Sequence, residues 1–347
     1  MVPAPSPLPL TAEFVPLSDQ RAAQLLEQTH ALKVQQLDRL ATERDDTFRA
    51  HTPRGVVVAK FAHPLDDPAA LHDQVVVLEA LAREHPELPV QRIVPARDGS
   101  LLTRVIDDAG QPRLARVLTY LHGELLGARV RPTAAMRTLG SLHARLASAI
   151  AAIGGAADPP LQGALTPWNL LSIEQYAPLL EKIADSSLRD EAARVIDRAT
   201  DAVLSRAVAL PALLAHNDLH GDNVLVTSRP FAVTGVLDFG DMTLTPRVAD
   251  LAVAASYARG RVRPSVDPWA AARAYVAGFD AVQALDDEEH ALLPELVLLR
   301  LAQRGILNSA IAAANPAAEK YASRNLSAIA RDLRELGASI PKTIRAL

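Results

Sequence analysis

The hydrophobic pattern changes about one third of the way along the chain. Before that point, short apolar runs are separated by polar or Gly/Pro turns, as strands require. After it, apolar positions mostly recur at helical spacing. Residues 18–30 predict a short helix with Ser18 at its N-cap. Lys33 to Leu40 and Thr47 to Ala50 predict two strands joined by the polar loop from Ala41 to Asp46. After the turn signal Pro53-Arg54-Gly55, the β-branched run Val56 to Phe61 predicts a central strand. Over residues 69–84, Leu71, Val75, Leu78 and Ala82 form one apolar stripe on a helix that Pro86 and Pro89 end. Ile93-Val94, Leu101-Leu102 and Arg116 to Leu121 read as further strands, and His122-Gly123 breaks the pattern.

The second part reads as mostly helix. Met136, Leu139, Leu142, Leu146, Ile150 and Ile153 keep one face of a helix over 133–153 apolar, with His143 packed inside that pattern and Gly154-Gly155 ending it. Residues 173–184 and 187–207 are again helical in pattern. One interruption stands out, from 213 to 240. There, two short apolar strands, 224–226 and 233–237, flank Ser228-Arg229-Pro230 as a hairpin would.

The polar chemistry is concentrated at that interruption. His216-Asn217-Asp218 with Asn223 five residues after the Asp has the form His-x-Asp-x-x-x-x-Asn. Leu237-Asp238-Phe239-Gly240 is an apolar strand ending in Asp-Phe-Gly. In this order, 20 residues apart from Asp218 to Asp238, they match the two catalytic signatures of protein kinases, so phosphoryl transfer is the expectation. Of the two His-x-Asp pairs, 216/218 and 220/222, only the first has an Asn at the required spacing. Asp218 is therefore the expected catalytic base, and Asn223 and Asp238 the expected Mg²⁺ ligands, since Mg²⁺ prefers hard oxygen donors and few protein carboxylates. His216 is expected to brace the loop.

The remaining parts follow from position. Lys60, ending the strand after the two-strand loop, stands where kinases keep the lysine that meets the nucleotide phosphates. Gln74, on the flank of the next helix's stripe, is its expected support, with Glu79 the competing choice. Thr119, Tyr120 and Leu121, running into His122-Gly123, are expected to be the hinge whose backbone reads the nucleotide base. Asp222 is expected either to stabilise the loop or to contact a cationic acceptor, and Asp241 to face the same cleft, because four Asp within 24 residues require a cation or a positively charged substrate. Asp250 is expected to cap a helix and brace a loop.

Composition narrows the setting. The 347 residues allow one large or two medium domains, and 49% apolar with 22% charged residues is ordinary for a globular chain. A net charge of −4 gives no general reason to bind nucleic acid or anionic lipid. With no Cys, disulfides and thiolate metal sites are excluded. Residues 1–14 read as a flexible Pro-rich lead-in, not a targeting signal, and no charge-free apolar run approaches the roughly 18 residues of a membrane span. A cytoplasmic monomer or homodimer is the expectation.

At these residues the chain resembles the aminoglycoside phosphotransferase superfamily, most of all its hydroxylysine kinase branch. The likeness rests on Glu43-Arg44-Asp45-x-x-Phe48, Val58-Ala59-Lys60, His216-Asn217-Asp218, Asp222-Asn223-Val224-Leu225-Val226, Val233 to Asp241 and Arg247 to Ala252. Arg300-Leu301-Ala302 and Asn308-Ser309-Ala310 add weaker support. The resemblance implies an α+β, bilobal protein-kinase-like fold. Residues 15–121 would form a small antiparallel-sheet N-lobe with one main helix, and 122–347 a larger, mostly helical C-lobe with the acceptor pocket. It implies Mg²⁺, ATP or GTP as donor, and a small amino alcohol, hydroxylysine-like, as acceptor. It also favours Gln74 over Glu79 and makes Trp168 an acceptor contact, although Asn169 stands where relatives usually carry Asp. Aminoglycoside, homoserine or choline acceptors are the alternatives within the class. Outside it stand a Zn or Mn hydrolase built on His216, Asp218, His220 and Asp222, and a nucleotide-binding module without catalysis.

Overall fold

The structure, a computed structural model, describes residues 15–42, 45–127, 132–199, 203–259, 267–314 and 319–344. The Pro-rich lead-in and the pair Glu43-Arg44 lie outside the described residues.

The N-terminal lobe is built on a five-stranded antiparallel sheet of order β1-β2-β3-β5-β4. Its strands are β1 (Gln36–Leu40), β2 (Asp46–Thr52), β3 (Gly55–Phe61), β4 (Thr103–Ile106) and β5 (Pro112–Thr119). Helix α1 (Asp19–His30) begins where Ser18 accepts the Arg21 N–H. Its Leu25 and Leu26 pack with Phe48, Phe61, Val105 and Val117 in a core on the sheet. Helix α2 (Pro68–Glu84) sends Val77, Leu78 and Leu81 into the larger core shared with the helices that follow. Asp73 on α2 reinforces the join, accepting the Gln162 and Gly163 N–H groups at 3.0 and 2.8 Å. Leu101-Leu102 falls short of the expected strand because the turn over 96–100 is still being completed there, and β4 starts at Thr103 opposite Ala115. Ile93 joins the sheet only as a single bridge to Leu118.

Past β5 the chain crosses into the helical lobe. Strand β6 (Glu124–Leu125) pairs with β8 (Val224–Ser228), which pairs with β9 (Phe231–Val236). A second ribbon joins β7 (Ala212–Ala215) to β10 (Thr243–Pro246). The helices are α3 (Thr133–Ala156), α4 (Ser186–Ala199), α5 (Ser205–Val208), α6 (Arg247–Ser256), α7 (Ala270–Asp280), α8 (Asp287–Ala314), α9 (Glu319–Ser323) and α10 (Leu326–Gly337).

Three expectations are corrected here. Helix α3 runs through Gly154-Gly155 instead of ending there. Gly154 serves packing, since a Cβ on it would lie 2.8 Å from the Leu214 side chain on β7. The segment from 170 to 182 is a 3₁₀ helix with Pro178 inside it, which lacks the N–H an α-helix needs. The long helix expected over 187–207 is two, α4 and α5.

Helix α8 is long and apolar enough to span a bilayer by length and composition, but 83% of its most apolar window is buried inside the protein. It is the central core helix of this lobe. Helices α3 and α7 touch backbone to backbone. A Cβ on Gly140 would fall 1.9 Å from the Tyr275 carbonyl oxygen, and one on Gly278 would fall 2.0 Å from that of Arg137. Gly140→Ala therefore forces the helices apart and is expected to cost about 2 kcal/mol. Urea unfolding measures it, and a loss below about 0.5 kcal/mol would mean that the crossing is not tight.

Candidate active site

Two structural devices bring the polar residues together. The first is the β8–β9 hairpin. Val224 pairs with Val236, and the Leu237 N–H donates to the Asn223 carbonyl at 2.8 Å. Asn223 and Asp238 therefore leave the same end of one ribbon. The second is left-handed backbone at Asn217 (φ 61°) and Asp238 (φ 57°). Asn and Asp tolerate that conformation best among side-chain-bearing residues, at a cost on the order of 1 kcal/mol each.

Lys60, ending β3, reaches across the lobe junction. Its Nζ lies 2.9 Å from Asp238 Oδ1 and 3.6 Å from Asp45 Oδ2. Arg116, paired opposite Lys60 on β5, also meets Asp45, at 3.2 Å. Burial pushes the Asp238 carboxyl up, but Lys60, Arg116 and the Gly240 N–H outweigh it and hold it well below the usual carboxylate range. Asp45 was not singled out by spacing, because it sits in a polar loop that gives no pattern. Gln74 is buried on α2, whereas Glu79 is exposed on its outer face. The acids that meet the Lys60 ammonium are Asp238 and Asp45.

Asp218 is held from several sides. Asn223 Nδ2 donates to its carbonyl at 2.9 Å and to Oδ2 at 2.7 Å. His220 Nε2 lies 3.2 Å from Oδ2, and Arg300 Nη2 lies 3.5 Å from Oδ1. Burial raises this carboxyl, but the fields of His220, Arg300 and His216 prevail and keep it below its ordinary value. Asp218 is therefore ionised throughout the neutral range. His216 is buried against the Phe239 ring, with centroids 4.8 Å apart, and its Nδ1 accepts the Asp218 N–H at 3.3 Å. Beneath the loop, Asp250 accepts the Asn217 N–H and meets His143 Nε2, both at 2.8 Å. Asp250 thus braces the loop as expected. It does not cap α6, whose N-cap is Pro246.

The hinge residues sit at the crossing. Thr119 donates its N–H to the Arg92 carbonyl and its own carbonyl accepts from Gln91 Nε2, Tyr120 packs edge-on to His122, and Leu121 lies against Gly235 of β9. The other three residues each have a partner within the fold. Asp222 pairs with Arg324 at 3.2 Å, and Asp241 accepts the Thr166 hydroxyl at 2.8 Å. Trp168 is buried with Leu307, Ile311 and Ala322, beneath the Arg300 guanidinium that binds its carbonyl at 2.7 Å. Three of the four acids have a cation within the fold, Lys60 for Asp238, Arg300 for Asp218 and Arg324 for Asp222, so their clustering does not by itself require a cationic acceptor. Arg300 carried only a weak sequence signal and Arg324 none, because distant charges meet only after the fold forms.

Asn223 and Asp238 fit Mg²⁺. Their donors are hard oxygens, and Asn223 uses its Nδ2 on Asp218, which leaves Oδ1 as the acceptor. Among the described residues no group of three or more His, Asp or Glu is arranged to hold a metal. The hydrolase constellation does not assemble, since His216 turns to Phe239 and Asp222 to Arg324.

Comparison with known proteins agrees with this geometry. A hydroxylysine kinase of Xenopus laevis is 27% identical over 317 residues, covering 83% of this chain and 81% of its own. The solved structure of the amicoumacin kinase hAmiN, in complex with AMP-PNP and Ca²⁺, superposes with a TM-score of 0.68 at 17% identity, covering 95% of this chain and 96% of that one. That of a microcompartment-associated aminopropanol kinase gives 0.63 at 20% identity, covering 94% and 100%. These two share the bilobal fold. The model of the phosphotransferase enzyme family, APH, matches residues 37–285, most of both lobes. The chain belongs to that family, as a small-molecule phosphotransferase on a protein-kinase-like fold.

Proposed function

We propose that this protein transfers the γ-phosphoryl group of ATP or GTP, with Mg²⁺, to the hydroxyl of a small amino alcohol of the hydroxylysine type. The observation that carries it is the Lys60–Asp238 contact across the lobes, 2.9 Å, beside an Asn223 that hydrogen-bonds Asp218. The hydroxylysine kinase relative and the aminopropanol kinase fold support an acceptor with an amine and a hydroxyl. The AMP-PNP complex of the amicoumacin kinase supports a nucleoside triphosphate donor.

In this reading Asp218 accepts a hydrogen bond from the acceptor hydroxyl and orients its oxygen toward the γ-phosphorus. Its lowered pKa makes it a weak base, which suits a loose transition state in which the proton leaves late. The new O–P bond forms as the bond from the γ-phosphorus to the bridging oxygen breaks, and the hydroxyl proton passes to Asp218. Lys60 neutralises phosphate charge from the N-terminal lobe. Asn223 and Asp238 would hold Mg²⁺, which supplies further charge neutralisation at the phosphates. Most of the acceleration is then positioning and electrostatics.

The test is nucleotide consumption from Mg–ATP and Mg–GTP with 5-hydroxylysine, homoserine, ethanolamine, choline and kanamycin. Turnover with a small amino alcohol is expected, reduced at least about 100-fold in Asp238→Asn. Tight nucleotide binding without turnover on any acceptor would remove the catalytic reading. An absence of nucleotide binding would remove the donor as well.

A further inference from the structure

The charges around Asp218 do not balance, and the imbalance is positive. Arg304 lies one helical turn beyond Arg300 on α8, so the two side chains share a face with about 5–6 Å between their Cβ atoms. Only 9% of Arg304 reaches solvent. Its guanidinium lies 3.8 Å over the Tyr257 ring. Among the described residues no hydrogen-bond acceptor and no carboxylate within ion-pair distance is recorded for it. Arg300, by contrast, has the Trp168 carbonyl, Gln303 and Asp218.

The nearby acids are already committed. Asp332 is bound by Arg259 at 3.0 Å and Arg331 at 2.9 Å, and Glu335 by Arg259. Asp222 belongs to Arg324. Four guanidiniums, of Arg259, Arg300, Arg304 and Arg331, thus face three carboxylates, of Asp218, Asp332 and Glu335. A buried guanidinium has five donors and strong reason to find an anion. Burial and the neighbouring Arg300 both disfavour the charged form of Arg304, while Tyr257, Asp332 and Asp218 favour it.

The location connects this charge to the acceptor side of the site. The Tyr257 ring that carries Arg304 also stacks on His220, with centroids 4.8 Å apart and planes 22° from parallel. His220 in turn contacts Asp218 at 3.2 Å. Arg304, Tyr257, His220, Asp218 and Arg300 therefore form a chain of contacts that leaves α8 and returns to it by way of the carboxylate that would hold the acceptor hydroxyl.

Resting on the kinase reading above, we infer that Arg304 is a specificity-determining residue that binds a carboxylate of the acceptor. The substrate class is then a hydroxylated amino acid, not a simple amino alcohol or an aminoglycoside. Tyr257 supports the guanidinium from one face, so its donors are presented edge-on, the geometry that a carboxylate matches with two parallel hydrogen bonds. The acceptor amine gains little from Asp222, whose charge Arg324 already meets.

The experiment compares matched acceptors on the full chain: 5-hydroxylysine against 1,5-diaminopentan-2-ol, its counterpart without the carboxylate, and homoserine against 3-aminopropan-1-ol. The expected ratio of kcat/KM, acid over decarboxylated partner, is about 100 in the wild type. In Arg304→Gln it falls toward 1, and Arg304→Lys restores part of it as a point charge. Equal use of the two partners by the wild type overturns the inference without any variant, as does a preference for the decarboxylated one. A ratio unchanged in a folded Arg304→Gln overturns the assignment to this residue. If nucleotide binds but no member of either pair is phosphorylated, both the acceptor class and this inference fall. If no nucleotide binds, the kinase reading itself has failed.

Discussion

Replacing Asp218 by Asn is expected to lower kcat about 1000-fold while leaving nucleotide affinity within about threefold. The split follows from the geometry. In the reading proposed above the nucleotide is met by Lys60 and Asp238, which lie 2.9 Å apart, and among the described residues neither contacts the Asp218 side chain. Asp218 instead sits among Asn223, His220 and Arg300. An amide that keeps its oxygen toward Asn223 and His220 turns its NH₂ toward Arg300, a donor facing a donor. It also loses the negative charge that receives the hydroxyl proton. Rapid-quench turnover and nucleotide titration of the same preparation separate the two effects. A rate within tenfold of wild type would remove Asp218 from the chemistry. A parallel loss of rate and nucleotide affinity would mean that the loop had collapsed.

The sequence was informative where chemistry or periodicity is local. Ser18 as N-cap, the strand ending at Lys60 and the hairpin bearing Asn223 and Asp238 each follow from neighbours within a few residues. The bilobal α+β fold followed from the switch of hydrophobic period plus the family likeness. What stayed hidden depends on contacts between distant segments. The Gly154-Gly155 pair reads as a helix end, because glycine weakens helices by about 1 kcal/mol, yet close approach of Leu214 keeps Gly154 inside α3. That Trp168 is buried beside the Arg300 guanidinium likewise depends on such a distant contact. The cations that meet three of the four neighbouring Asp, on Lys60, Arg300 and Arg324, are far away in sequence. Bringing them together weakens the case for a cationic acceptor and leaves Arg304 as the charge in need of a partner.

The largest expected loss of stability belongs to Asp250→Ala, about 4 kcal/mol. Asp250 is 1% exposed and lies in the first turn of α6. One carboxylate oxygen takes the Asn217 N–H, and the other meets His143 Nε2 on α3, whose ring contacts the Tyr275 hydroxyl on α7. Alanine would leave a buried backbone N–H and a buried imidazole without their acceptor, and a cavity between three helices. Burial raises the Asp250 carboxyl, but His143, His216 and the Asn217 N–H prevail and hold it below its ordinary value. Because the folded-state pKa lies below that of the unfolded chain, about 3.9, the contribution is fully present above that pH. It is lost as pH falls through the folded-state value. The gap between wild type and Asp250→Ala should therefore narrow below about pH 4. Urea unfolding as a function of pH gives the gap directly. A loss under about 1 kcal/mol at pH 7, or a gap that fails to narrow below about pH 4, would show that the carboxylate does not brace the fold. Because Asn217 precedes Asp218 in left-handed backbone held by this bond, the same variant should also lose turnover under conditions where it remains folded. Asp250→Asn keeps the volume and one acceptor oxygen, and should recover part of both losses.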